Sequence, residues 1–124
     1  MDGRRILVAE DDQAIRDLIV ILLRKNGFHA IDVADGHQAL AACETQDIDL
    51  AILDVRMPGL SGWQVMDQLE ARGILGRFPI IILSATLQAA EEAKRFESVC
   101  TTLPKPFSIV DLIEAVHGCI PTAA

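Results

Sequence analysis

Short apolar runs alternate along this chain with stretches whose apolar residues recur at helical spacing. Ile6-Leu7-Val8-Ala9 is a continuous run of strand length. Ile15, Leu18, Ile19, Leu22 and Leu23 follow at helical spacing, and Asn26-Gly27 stops that helix. Residues 30–33 read as a weaker strand, interrupted by Asp32, and residues 38–44 as a short helix. Residues 48–53 predict a strand. Residues 63–72 predict a helix with Val65, Met66 and Leu69 inward and Gly73 beyond its end. Residues 80–83, introduced by Pro79, form the clearest buried strand. Residues 89–97 predict a helix with a weak apolar face, and residues 99–103 a last strand. Ser108 and Asp111 have capping-box spacing, and Ile109, Leu112, Ile113 and Val116 then repeat at helical spacing.

Continuous apolar strands alternating with helices imply an α/β fold, with a parallel sheet covered on both faces. Such sheets bind ligands in the crevice outside the carboxyl ends of their strands. The pattern contains five strand–helix units, no internal repeat and no low-complexity linker. At 124 residues the chain is expected to be one domain spanning 1–124, with no output domain after the fifth helix. Aromatic residues make up only 4%, so the core must be aliphatic.

The net charge of −7 argues against direct nucleic-acid binding and against docking on an anionic membrane, and suits a cation or a basic partner. No apolar run approaches the ~18 residues of a membrane span, so no membrane insertion is expected. The first five residues lead directly into a strand, with no secretory signal. Cys43, Cys100 and Cys119 are odd in number and lack CxxC spacing. The expectation is three small buried hydrophobes in a reduced, cytoplasmic setting, without a disulfide or a zinc site.

The candidate chemistry lies at the strand ends. After the first strand come Glu10, Asp11 and Asp12; after the third comes Asp54; after the fourth, Ser84 and Ala85; after the fifth, Pro104-Lys105-Pro106. Two bare carboxylates about 4 Å apart repel by roughly 4 kcal/mol at an effective dielectric near 20. A domain has only about 5–15 kcal/mol of stability, so the cluster needs a proton, the lysine or a cation. Hard oxygen ligands with water access suit Mg²⁺. A carboxylate beside Mg²⁺, a lysine and a hydroxyl is equipment for phosphoryl transfer, with an aspartate as nucleophile. Taken singly, each residue has a plainer reading. Glu10-Asp11-Asp12 could cap the first helix, and Asp12 reads best as a cap; Asp54 could be a turn residue, Lys105 a solvated surface charge and Ser84 a loop hydroxyl. Four such residues at successive strand ends make the joint structural reading the weaker one.

With ILVAEDD, LDVRMPGLSG, ILSA and PKPF in that order, essentially the whole chain resembles the receiver domain of two-component response regulators. The resemblance implies a single doubly wound, flavodoxin-like sheet of order 2-1-3-4-5 with five flanking helices. It makes Asp54 the phosphoacceptor. Asp11 becomes the direct acidic metal ligand, and Glu10 its neighbour that reaches the metal through water. Arg56 supplies a backbone carbonyl to that site. Ser84 binds the phosphoryl group, Ala85 leaves it room, and Lys105 pairs with a phosphoryl oxygen. The implied cofactor is Mg²⁺, with Mn²⁺ as an alternative. The implied partners are a sensor histidine kinase or histidine phosphotransfer protein, and a downstream protein or fused output domain. The chain would phosphorylate and dephosphorylate only itself. A cis Lys105–Pro106 bond is a further family trait. Thr102 departs from the family, which commonly has Tyr or Phe there. The common Gly-Ala before the last strand is also missing, and the fourth helix is expected to be short or mobile.

Three other functions compete. A haloacid-dehalogenase-like phosphatase wants a DxD pair on the first strand, and this chain has Glu10-Asp11-Asp12. A flavin protein wants a hydroxyl-rich phosphate loop there, where these acids would repel the phosphate. A degenerate receiver would bind partners without phosphorylation, as Thr102 allows. The isolated His29, His37 and His117 read as surface or structural residues, and Trp63 as packing. The Arg56 side chain reads as either a phosphoryl shield or a salt-bridge partner.

Overall fold

A computed structural model describes residues 3–121. The leader at residues 1–2 and the tail at residues 122–124, both included in the sequence reading, lie outside them. Five strands, β1 (Arg5–Ala9), β2 (His29–Val33), β3 (Leu50–Asp54), β4 (Ile80–Ser84) and β5 (Val99–Pro104), form one parallel sheet of order β2-β1-β3-β4-β5. Five helices, α1 (Gln13–Lys25), α2 (Gly36–Thr45), α3 (Gly62–Ala71), α4 (Ala89–Ala93) and α5 (Ile109–Cys119), connect them. The expected architecture is the observed one.

The alternation of strand side chains splits the core in two. Leu7, Ala9, Ala51, Leu53, Ile80 and Ile82 face α2 and α3 through Leu40, Val65, Met66 and Leu69. Ile6, Val8, Leu50, Ile52, Ile81 and Leu83 face α1 and α5 through Ile19, Leu23, Leu112 and Val116. Both capping boxes at the starts of α3 and α5 are formed, by Ser61 with Gln64 and by Ser108 with Asp111.

Four expectations need correction. Leu18 is exposed, and Val20 joins Ile19 and Leu23 in the buried stripe of α1. The third strand starts at Leu50 rather than residue 48, and includes Asp54. Helix α4 ends at Ala93 rather than residue 97. No side chain caps its start, and the Lys94 and Phe96 amides close tight turns onto Glu91 and Ala93. Phe96 then turns inward to stack on Trp63, ring centroids 6.1 Å apart. The fourth correction concerns the cysteines. Cys43 is buried as expected, but Cys100 and Cys119 are exposed and half-buried, and a disulfide joins them. Their separation of 19 residues carries no spacing signal; β5 and the end of α5 bring them together.

Candidate functional site

The carboxyl edge gathers Glu10, Asp11, Asp54, Arg56, Ser84, Ala85 and Lys105 around one cleft of about 250 Å³. Every residue predicted for the site lines it. Glu10 follows β1 and is fully buried. Its backbone is fixed from two sides: its amide donates to the Val33 carbonyl (3.2 Å), and the Arg16 guanidinium donates to its carbonyl (2.8 Å). Asp11 is exposed beside it. Asp12 caps α1, its carboxylate accepting from the Ile15 amide at 3.0 Å, which is the structural role expected of it.

Asp54 ends β3 and is 4% exposed. Both of its oxygens are engaged. Oδ1 accepts from the Arg56 amide at 3.0 Å, and Oδ2 accepts from Lys105 Nζ at 2.6 Å. The same ammonium donates to Glu10 Oε1 at 2.8 Å. Lys105 is brought there by β5, whose register places Pro104 beside Ser84, and by its amide, which donates to the Ser84 carbonyl at 2.8 Å. The Lys105–Pro106 bond is cis, as the resemblance implies.

Glu10, Asp11 and Asp54 each present a carboxylate oxygen within 4.8 Å of the others. One ammonium faces these three acids. Burial, then the neighbouring Asp54 carboxylate, pushes the Glu10 carboxyl up to about 8, and the Lys105 contacts only partly offset this. Burial pulls the Lys105 ammonium down, but its bonds to Asp54 and Glu10 outweigh that and hold it above the ordinary lysine value. Glu10 Oε2 is buried without a hydrogen-bond partner. A buried carboxylate oxygen with no donor, in an all-oxygen cluster open to solvent through Asp11, fits a hard divalent cation such as Mg²⁺.

Ser84 ends β4, nearly buried, and its hydroxyl is turned to its own loop. Ser84 Oγ accepts from the Thr86 amide at 2.9 Å and lies 3.1 Å from Thr86 Oγ1. Ala85 is exposed at the cleft mouth. The Arg56 side chain is exposed and makes no ion pair among the described residues, so the salt-bridge reading fails for it. Thr102 is half-buried and borders a small, mainly apolar cleft of about 150 Å³ shared with Leu87 and Leu103.

The sequence reading missed three supports of the site. Arg16 holds the Glu10 carbonyl, and Thr86 holds the Ser84 hydroxyl. Gly62 is the third: a Cβ there would lie 2.5 Å from the Asp54 carbonyl oxygen, so only glycine lets α3 start against the end of β3. Its amide closes that contact on the Val55 carbonyl at 2.8 Å. LDVRMPGLSG displays Gly62, but nothing in the string shows what it touches.

Comparison with known proteins agrees with this geometry. The response regulator receiver domain pattern matches residues 6–117. The sensory transduction protein RegX3 of Mycolicibacterium smegmatis is 33% identical over 96% of this chain and 51% of its own length. The chain thus spans about half the length of such curated relatives. Among solved structures, the Francisella response regulator 1452 receiver domain superposes with a TM-score of 0.83 at 32% identity, covering 93% of this chain and 94% of that one. The receiver domain of sensor histidine kinase PA1611 from Pseudomonas aeruginosa, which has a magnesium ion in its active-site cleft, superposes with a TM-score of 0.81 at 32% identity, covering 93% and 96%. The family match is to receiver domains, which favours that reading over the phosphatase and flavin readings. Among the described residues no helix is long and apolar enough to cross a membrane. A five-stranded sheet with an acidic cleft at its carboxyl edge, and a family pattern over most of its length, place this chain in the response regulator receiver domain family of two-component systems.

Proposed function

We propose that Asp54 accepts a phosphoryl group from the phosphohistidine of a sensor histidine kinase or a histidine phosphotransfer protein, and that this switches partner binding. The observation that carries the reading is the state of Asp54. It is a nearly buried carboxylate, oriented through both oxygens, at the focus of an acidic cleft. In the step, an Asp54 oxygen forms a bond to phosphorus while the phosphorus–nitrogen bond of the donor breaks. The imidazole leaves with the electron pair and recovers a proton from solvent.

Glu10, Asp11, Asp54 and the Arg56 carbonyl would hold Mg²⁺, with Mn²⁺ as an alternative. When bound, the cation neutralises charge on the phosphoryl oxygens. Lys105 now spans two carboxylates, and in the phosphorylated state its ammonium pairs with the transferred group instead. The Ser84 hydroxyl turns from Thr86 to a phosphoryl oxygen, which frees the loop leading to α4. Ala85 leaves the entering group room. The chain acts on itself and turns over no external metabolite. It works on the cytoplasmic side, without inserting in a membrane or binding nucleic acid directly, and signals to a downstream protein or a fused output domain. Residues 1–124 are the receiver unit in this reading.

Acetyl phosphate and intact mass test the proposal. A single phosphoryl adduct is expected with Mg²⁺, and none with Asp54→Asn or with a chelator. If phosphorylated donor domains also left the protein unlabelled, the reading would fail and a phosphorylation-independent binding module would replace it.

A further inference from the structure

The site's lysine sits inside a covalent loop. The Cys100–Cys119 disulfide closes a segment that contains Lys105, Pro106 and nearly all of α5. Strand β5 is the sheet edge and, among the described residues, pairs only with β4. Its register jumps from Ile80–Val99 to Ile81–Thr101, so Cys100 is the extra residue of a bulge. The bulge inverts the side-chain alternation. Val99 packs with the α2–α3 core, and Leu103, four residues on, packs with the α1–α5 core, whereas a regular strand would put both on one face. Cys100 is therefore unpaired in the ladder, at the bulge of the strand that positions Lys105, and the disulfide ties that point to the end of α5.

We propose that Cys100–Cys119 is a thiol–disulfide exchange site, a clasp whose opening loosens the β5–α5 segment that holds Lys105 against Glu10 and Asp54. The reductant is a dithiol, either a small molecule or a CxxC protein. One of its thiolates attacks the exposed Cys100 sulfur, the sulfur–sulfur bond breaks, and Cys119 leaves as a thiolate and takes a proton from water. The second reductant thiolate then closes on the mixed disulfide and releases Cys100 as its thiolate, which is protonated. Two electrons pass, leaving two protein thiols and one reductant disulfide. A disulfide-form oxidant reverses the sequence. Cys43 stands outside this exchange, because it is buried and burial pushes its thiol up to about 12. On the cytoplasmic side, where the functional reading places the chain, disulfides are characteristically transient or sensing, which suits a switch better than a permanent staple. The clasp itself does not depend on phosphoryl transfer.

The test compares full-length protein equilibrated with oxidised glutathione and with dithiothreitol, read by native alkylation and by amide hydrogen exchange. The oxidised form is expected to take up no alkyl group and the reduced form two, at Cys100 and Cys119. The Lys105 amide, which donates to the Ser84 carbonyl, reports on the clasp. Its exchange, with that of α5, is expected to accelerate at least about tenfold on reduction, while β1 and β3 stay unchanged. Cys100→Ser is expected to match the amide exchange of the reduced form under both conditions, and Cys43→Ser to keep the redox response. Alkylation of Cys100 and Cys119 in the glutathione-oxidised sample, or equal Lys105 exchange in both forms, would overturn the proposal. Neither result depends on whether Asp54 is phosphorylated.

Discussion

The two halves of the carboxyl edge are built differently. On one side β1 and β3 are interior strands whose hydrophobic residues from Ile6 to Ala9 and from Leu50 to Leu53 are fully buried. Their acids are seated by backbone bonds and by a close glycine contact. On the other side α4 has five residues, β5 is a bulged edge strand, and Leu87 is 91% exposed. Chemistry needs fixed groups, and a response needs groups that can shift at little cost. In the proposed function the acid half would react, and the α4–β5 side would respond.

Breaking the rigid half gives the largest effect. Asp54→Asn is expected to abolish the phosphoryl adduct while leaving the fold intact, which mass and circular dichroism would show. Glu10→Gln sharpens the electrostatic side of the comparison. It removes a buried carboxylate that burial makes costly, so cation-free protein should be stabilised by about 1–3 kcal/mol at neutral or higher pH, while Mg²⁺ affinity falls at least about tenfold. Calorimetry and magnesium titration would check both.

The pH dependence follows from the same residue. The Glu10 carboxyl is raised from 4.5 to about 8, so its protonated form favours the folded state. That contribution is complete below about 4.5 and is lost as pH rises through about 8. Without a cation, the melting temperature is expected to fall between pH 5 and 9. Saturating Mg²⁺, bound best once the proton is gone, should flatten the curve, and Glu10→Gln should flatten it without metal.

Gly62→Ala tests the close contact that seats Asp54. The added methyl meets backbone rather than a flexible side chain, so α3 must shift, at about 1–3 kcal/mol, with slower phosphorylation. The smallest effect is expected on the side of α4 and β5. Thr102→Phe fills the cleft beside Leu87 and Leu103, and should change stability by less than about 1 kcal/mol and leave the adduct intact. Amide exchange of the 84–88 loop would register the added packing.

Legibility in the sequence divides along the same line. Glu10, Asp11, Asp54, Ser84 and Lys105 could be read because each follows an apolar run, and a parallel sheet sends all such ends to one edge. Sheet order came from the family resemblance, since apolar periodicity places a strand but not its neighbours. What escaped depends on contacts between distant segments. The disulfide has no spacing signature, because a bulge and a helix end create it. Nothing in the string shows that Thr86 holds the Ser84 hydroxyl or that Arg16 holds the Glu10 carbonyl. The short α4 was foreseen from the family but overextended from composition, because its alanines and glutamates favour helix while Phe96 is drawn to Trp63.

The central claim, that the rigid half exists to load Asp54, is tested most directly by locating the phosphoryl group. An acyl phosphate is reduced by borohydride, which turns an aspartyl phosphate into homoserine. Peptide mapping after treatment with a phosphodonor and Mg²⁺ should find homoserine at position 54 and at no other acid. Homoserine at position 11, a reduced glutamyl phosphate at Glu10, or a phosphoester on Ser84 with Asp54 unmodified would contradict the account.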